Sequence, residues 1–367
     1  MTSKRLVSAR AAGLALACLF SGAAFAQELG ERVDFSGSPR SITFAAAPAL
    51  GAVLFDSGES AAPTEPWDTV IFQGVSPDAG VSFEAARRDA AGRWVWREAE
   101  VRRHLTGRFW GRARLPSGAR TVRLRAIDKG VAAAHAVELY SVETFASASA
   151  EAVSPGAAGP PARAEVPKPS VRDRGQWGAK PAKEPYTPHA PARMTLHHTD
   201  GRQTRTIPES EAELRFIQDF HQNGRGWNDI AYHFLIDGAG NIFQGRPETV
   251  VGSHTRDNNT GNIGIALLGN HHPPKSDPAT AAEQASVVAI GRYLAAAYGI
   301  APASLKGHRD YNATDCPGDS VYPLLAELRR RMAEAPRTIG RLRGSPSESV
   351  SRPSWSSSSR DRSKEGS

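Results

Sequence analysis

Cysteine is nearly absent. Cys18 and Cys316 are the two in 367 residues, and Cys18 lies inside a stretch that reads as a removable leader. A processed chain then keeps one thiol and has no internal disulfide. A lone thiol in an oxidising compartment is a liability unless it is buried or bound to a metal. Long apolar runs are scarce as well. Ala11–Phe20 is too short to span a bilayer as a permanent helix, and no later segment is long and apolar enough, which argues against an integral membrane segment in the mature protein. A basic folded face is also missing. The formal net charge is +7, but residues 1–26 carry three Lys/Arg and no acid, and residues 337–367 carry seven Lys/Arg against three acids. The stretch between is neutral, which argues against a nucleic-acid-binding domain.

What is present begins with an export signal. Lys4, Arg5 and Arg10 give a positive start, Ala11–Phe20 an apolar centre, and Ala24-Phe25-Ala26 a small-x-small cleavage site before Gln27. Residues 1–26 are expected to be a signal peptide, and the protein to be exported to the periplasm or the medium. Lipidation at Cys18 is the alternative, but Ala15-Leu16-Ala17 is a poor lipobox and apolar sequence continues past the cysteine.

Residues 27–148 alternate in short runs, such as Ser41–Phe44, Val81–Glu84, Trp94–Trp96 and Thr121–Arg125. Turn residues such as Pro77-Asp78-Ala79-Gly80 and Pro116-Ser117-Gly118 separate them. The pattern predicts a small all-β, sandwich-like domain. Its tryptophans, Trp67, Trp94, Trp96 and Trp110, either fill the core or form a sugar-binding platform. Residues 149–169 are Ala/Pro/Gly-rich and read as a linker.

Residues 170–335 alternate between strand and helix. Arg193–His198 reads as a buried strand. Pro208–Asn223 reads as a helix with Leu214, Ile217 and Phe220 on one face. Ile230–Ile236 and Asn241–Gln244 flank the hairpin signal Asp237-Gly238-Ala239-Gly240. Ile263–Leu268 is a further strand, Thr280–Tyr298 a helix stopped by Gly299, and Ser320–Ala335 a last helix. An α/β fold follows, with a central mixed β-sheet flanked by helices. Residues 336–367 are Ser/Arg-rich and read as a disordered tail.

A catalytic zinc takes three nitrogen, thiolate or carboxylate ligands and leaves one position open. The candidates are His197 or His198, His308 and Cys316. His308 stands eight residues before Cys316 in the polar loop Gly307–Gly318. His197 and His198 end an apolar strand, so their rings point to opposite faces and one of them can face a given site.

Several segments, in order, resemble the peptidoglycan recognition protein family, which shares its fold with type 2 N-acetylmuramoyl-L-alanine amidases. They are Arg174-Gly175-Gln176-Trp177-Gly178-Ala179, Met194–Thr199, Gly226–Ile236, Gly252-Ser253-His254-Thr255 with Asn258–Asn270, and Gly307–Gly318. The resemblance covers nearly all of residues 170–330. It implies one zinc ion per chain on His197, His308 and Cys316, with His198 a neighbour on the other face. The family's active-site tyrosine falls on Tyr232. The position two before the cysteine ligand, Lys or Thr in active relatives, falls on Thr314. The substrate implied is the amide between N-acetylmuramic acid and L-alanine of peptidoglycan, cut by a monomeric, cell-wall-associated enzyme. A non-catalytic peptidoglycan-binding module is the alternative, and such relatives lack the cysteine. His254 is placed on the substrate groove, or else is an ordinary loop histidine. Arg246 is placed opposite a stem-peptide carboxylate. Asp310 is read as a partner of the ligand His308 or an exposed loop acid. His271 and His272 are read as surface-loop residues without a role. Two features depart from the family. The disulfide usual in animal members has no partner cysteine here, and Pro247-Glu248-Thr249-Val250 does not match the extra sugar-contacting motif.

Overall fold

The computed structural model describes residues 31–33, 35, 41–43, 49–76, 79–115, 121–131, 136–147 and 166–334. The expected signal peptide, Cys18, most of the linker and the tail lie outside the described residues. The chain is mixed α/β, with an all-β N-terminal part.

Among its described residues that part has ten strands: β1 Glu31–Arg32, β2 Ser41–Thr43, β3 Val53–Asp56, β4 Thr69–Val75, β5 Val81–Arg88, β6 Trp94–Glu98, β7 Glu100–Arg103, β8 Arg108–Arg114, β9 Val122–Asp128 and β10 Ala136–Phe145. One sheet runs β1-β10-β4-β8-β7, with β2 also on β10, and the other runs β3-β9-β5-β6. Alternation decides what each face meets. Val70, Phe72, Phe109 and Val142 point to the second sheet and pack on Phe83 and Leu124 in a sandwich core. The intervening residues point the other way, toward the α/β part.

The α/β part carries β11 Val171–Arg172, β12 Arg193–His198, β13 Phe234–Ile236, β14 Ile242–Gln244, β15 Asn262–Leu267 and β16 Leu305–Gly307. The sheet order is β11-β14-β13-β15-β12-β16. It is mixed, because β13 pairs antiparallel with β14 while β12 pairs parallel with β15 and β16. Helix α1 (Ile207–Asp219), extended by a π turn at Phe220–Gly224, covers one face. Helices α2 (Ala281–Tyr298) and α3 (Leu325–Ala333) cover the other. As expected, α2 stops at Gly299, whose φ of 70° suits glycine; its start is fixed by a Thr280/Glu283 capping box. The last helix begins later than Ser320. Pro323 sits in a short 3-10 turn, Tyr322–Leu324, that precedes it.

The segment expected as strand 230–236 is strand only from Phe234. Before that point side chains take over the donors of Ile230 and Ala231, while His233 N–H still donates to the Gly264 carbonyl and the Tyr232 carbonyl accepts from Arg246 N–H. Ile230 N–H donates to Asp229 Oδ1 and Ala231 N–H to His221 Nδ1. The Arg246 guanidinium takes the carbonyls of Ile230, Asp229 and Val251. Asp229 is itself held by Gln218, Arg174 and the Tyr186 hydroxyl. Residues 229–232 therefore cross the sheet end as an irregular, fully braced segment.

The described residues up to Ala333 form one compact unit. The sandwich and the α/β part, expected as separate domains, share a buried face on α1. Three alternate residues of β8 reach it or the π turn that extends it. Arg108 pairs with Glu213 at 2.9 Å, Trp110 Nε1 donates to Asp219 Oδ2 at 2.9 Å, and Arg112 reaches the carbonyls of Asn223 and Gly224. Arg108 and Glu213 are 1% and 3% exposed, and the guanidinium lies 3.9 Å from the Phe216 ring centroid. Removing one partner of such a pair typically costs about 3–5 kcal/mol, which fixes the two parts against each other. The four tryptophans of the β part do not form one face. Trp67 is in the sandwich core and Trp110 in the shared face, while Trp94 and Trp96 stack against arginines. Among the described residues no helix is long and apolar enough to cross a membrane.

Candidate metal centre

Two elements bring the metal-binding types together. His197 is on β12, inside the sheet. His308 opens a 3-10 turn directly after β16, which pairs with β12. Asp310 shapes that turn by accepting from Gly307 N–H and from the Tyr322 hydroxyl, so it acts on the backbone and not on the His308 ring. Arg309 closes the loop, its N–H donating to the Cys316 carbonyl and its guanidinium to the Asp315 carbonyl. Cys316 thereby comes back beside His308.

The donor atoms of His197, His308 and Cys316 all lie within 4.8 Å of one another, and all three residues are buried. His197 Nδ1 is 3.6 Å from Cys316 Sγ. Bond lengths of about 2.3 Å to sulfur and 2.0–2.1 Å to nitrogen put tetrahedral ligands roughly 3.3–3.6 Å apart, so the donor set suits a zinc ion.

Tautomers follow from the hydrogen bonds. His254 Nε2 faces the Asn262 carbonyl, which only accepts, so its proton is on Nε2 and its Nδ1 is bare. The single lone pair of that Nδ1 is shared between His197 Nε2–H at 3.0 Å and the Thr255 hydroxyl at 2.8 Å. His197 Nδ1 is then bare on the Cys316 side. His308 Nε2 donates to Asn312 Oδ1 at 3.2 Å, which leaves its Nδ1 bare too. Burial pushes His197 well below the usual imidazole range, with neighbouring His308 adding to it, and brings His308 down to about 4. Both rings are neutral and competent to ligate at neutral pH. Burial pushes the Cys316 thiol up, and a bound cation reverses that preference. His198 N–H donates to Cys316 Sγ at 3.4 Å. The His198 ring accepts from His271 N–H and takes no place in the three-donor cluster, which settles which of the pair faces it.

A cleft of about 940 Å³ opens over the cluster, lined by Tyr232, His308, Thr314 and Cys316 among others. The Tyr232 ring centroid is 5.3 Å from that of His197, and burial raises its phenol far above neutral, so it stays protonated. Thr314 is exposed; its Oγ1 accepts from Cys316 N–H at 3.2 Å and keeps its own proton to donate.

A family model described as N-acetylmuramoyl-L-alanine amidase matches residues 187–319, the span that holds all of these groups. Peptidoglycan-recognition protein SC1a of Drosophila melanogaster is 34% identical over 160 residues, which cover 41% of this chain and 82% of that protein. The chain belongs to the peptidoglycan recognition protein family. The N-acetylmuramoyl-L-alanine amidase of Sus scrofa is 34% identical over 182 residues, covering 48% of this chain and 30% of that protein. Among solved structures, the amidase LysC from Clostridium intestinale aligns at 31% identity and a TM-score of 0.38, covering 45% of this chain and 97% of that one.

Two expected substrate contacts are not on the cleft wall of this peptidoglycan recognition fold. His254 is 1% exposed and stands behind His197, whose ring it orients. Gly252 and Gly264 make room for it, since a Cβ on either would come within 2.7 Å of its ring. Arg246 is 5% exposed, and its donors are taken by three carbonyls and the Ser253 hydroxyl. It clamps the segment that presents Tyr232. His271, read as a surface residue, is fully buried, and its N–H fixes the His198 ring. The two prolines that follow suggested a surface loop and gave no sign of this.

Proposed function

We propose that this protein is a zinc-dependent N-acetylmuramoyl-L-alanine amidase that hydrolyses the amide between the muramic acid lactyl group and L-alanine of peptidoglycan. The observation that carries the reading is the convergence of two bare imidazole nitrogens and one thiol at the floor of a cleft. A zinc ion on His197, His308 and Cys316 supplies Lewis acidity and a water acidified to a pKa of about 7. The remaining work falls to the chain. Neutral Tyr232, on the cleft wall, donates a hydrogen bond toward the oxygen on which charge develops. The Thr314 hydroxyl, fixed by Cys316 N–H, orients the amide. His254, Asn312 and His198 N–H hold the three ligands. The thiol favours an enzyme over a pure binding module, since recognition alone needs no third metal donor.

The test is release of stem peptides from purified peptidoglycan, read by mass spectrometry alongside metal content. The wild type is expected to carry one zinc and to release peptides beginning with L-alanine. Chelation is expected to stop release and added zinc to restore it. Cys316→Ser is expected to lose cleavage and retain binding to the polymer. Full-rate cleavage by that variant, or by metal-free protein, overturns the reading.

A further inference from the structure

The cleft over the metal cluster has a second wall that the family-matched span does not supply. Ser141 and Glu143 line it from β10, across from Thr314 and Cys316. They lie at alternate positions with Phe145, on the face of β10 turned toward α1. Arg225, just after the π turn, stands at this junction. Its side chain is 8% exposed, and Nη2 donates to Glu143 Oε1 at 2.6 Å. The guanidinium carbon is 5.0 Å from the ring centroids of both Phe220 and Trp227, which hold it in place.

Among the described residues, three buried polar atoms here find no hydrogen-bond partner: Arg225 Nε, Arg225 Nη1 and Ser141 Oγ. Ser141 is 6% exposed. A buried donor without an acceptor is destabilising, more so when charged, so this corner favours an occupant that supplies oxygens. Arg225 is already balanced by Glu143, so the unmet need is for neutral acceptors and not a second anion. Phe145, Phe220 and Trp227 add apolar surface beside them. Donors set among apolar surface match a peptide, whose carbonyls alternate with side chains. A sugar would require acceptors as well as donors at close spacing.

We infer that β10 and Arg225 form a subsite for the stem-peptide backbone, with Ser141 and Arg225 donating to its amide carbonyls and Glu143 positioning the guanidinium. The N-terminal β part is then a component of the substrate site. This inference rests on the amidase reading for its substrate. The arginine lies within the family-matched span, but its anchor lies outside it.

Full-length wild type, Ser141→Ala and Arg225→Met are compared on muramoyl dipeptide and muramoyl tetrapeptide, and on tetrapeptide substrates bearing one or several disaccharides. Metal content and Tm establish that each variant is folded. The wild type is expected to prefer the longer stem. Both variants are expected to lose about tenfold of that preference, through KM and not kcat. Calorimetric binding of the free tetrapeptide needs no turnover, so it reads the subsite even if no hydrolysis is found, and Arg225→Met is expected to weaken it about tenfold. Unchanged stem-length preference and unchanged tetrapeptide binding overturn the inference. A change confined to the glycan-length series also overturns it, in favour of a sugar subsite.

Discussion

His254 Nδ1 lies 3.0 Å from His197 Nε2, and the acceptor is kept bare because the other nitrogen of His254 is bound to the Asn262 carbonyl. The proton direction along this row is set by a backbone oxygen on β15, two residues from the metal side. Partners of ligand histidines raise ligand basicity and fix the ring, and removing them typically costs about 10–100-fold in metal affinity. His254→Ala is therefore expected to weaken zinc binding by about that factor, measured by competition with a chelator of known affinity. Activity is expected to return in large part when zinc is added in excess. An unchanged affinity would show that the row has no role in holding the ligand.

Tyr232 ends a segment that its neighbours hold firmly. Arg246 and Asp229 brace the four residues up to it, and burial keeps its phenol protonated. Tyr232→Phe removes one hydroxyl and leaves the ring contacts in place. Loss of a single oxyanion-type donor costs about 10²–10³-fold in kcat, and that fall is expected with KM changed little and zinc content retained. A variant with wild-type kcat would remove Tyr232 from the chemistry.

Much of this site was legible because chemistry-bearing residues stand at strand ends and in one polar loop. The sequence pattern placed His197 on a buried strand and put His308 and Cys316 in one loop, and the structure brings the three together. What stayed hidden depends on partners far along the chain. Glu213 and Asp219 are acids on a helix whose apolar face is evident, and periodicity alone sends them to solvent. They are buried because β8, about a hundred residues earlier, supplies Arg108 and Trp110. His254 and Arg246 were misplaced for a related reason. A loop position argues for exposure, and only the packing of Gly252, Gly264 and the Ile230 carbonyl turns the two residues inward. The false start of strand β13 has the same origin, since Asp229 and His221 take over backbone donors that alternation assigns to a ladder.

Glu283 gives the fold a pH dependence of definite sign. It is fully buried at the start of α2, where it accepts from Thr280 N–H at 2.6 Å and from Gln203 Nε2 at 3.3 Å, with His271 Nε2 4.0 Å away. Burial outweighs these bonds and the more distant charge of Arg205, and raises the carboxyl from 4.5 to about 7. Between those values the folded protein keeps a proton that the unfolded chain has lost. The contribution to stability is therefore complete below pH 4.5, falls as pH rises through 7, and stays low beyond. At about 1.4 kcal/mol per unit of pKa difference, the loss amounts to about 3 kcal/mol. Glu283→Gln keeps the capping geometry, since glutamine serves at this position of a capping box, and removes the titration. The variant is expected to be more stable than the wild type at pH 8 by up to about 3 kcal/mol, with the gap closing toward pH 4.5, measured by denaturant unfolding of both proteins at each pH. A gap that is the same at both ends of the range would mean that Glu283 is ionised in the folded protein throughout.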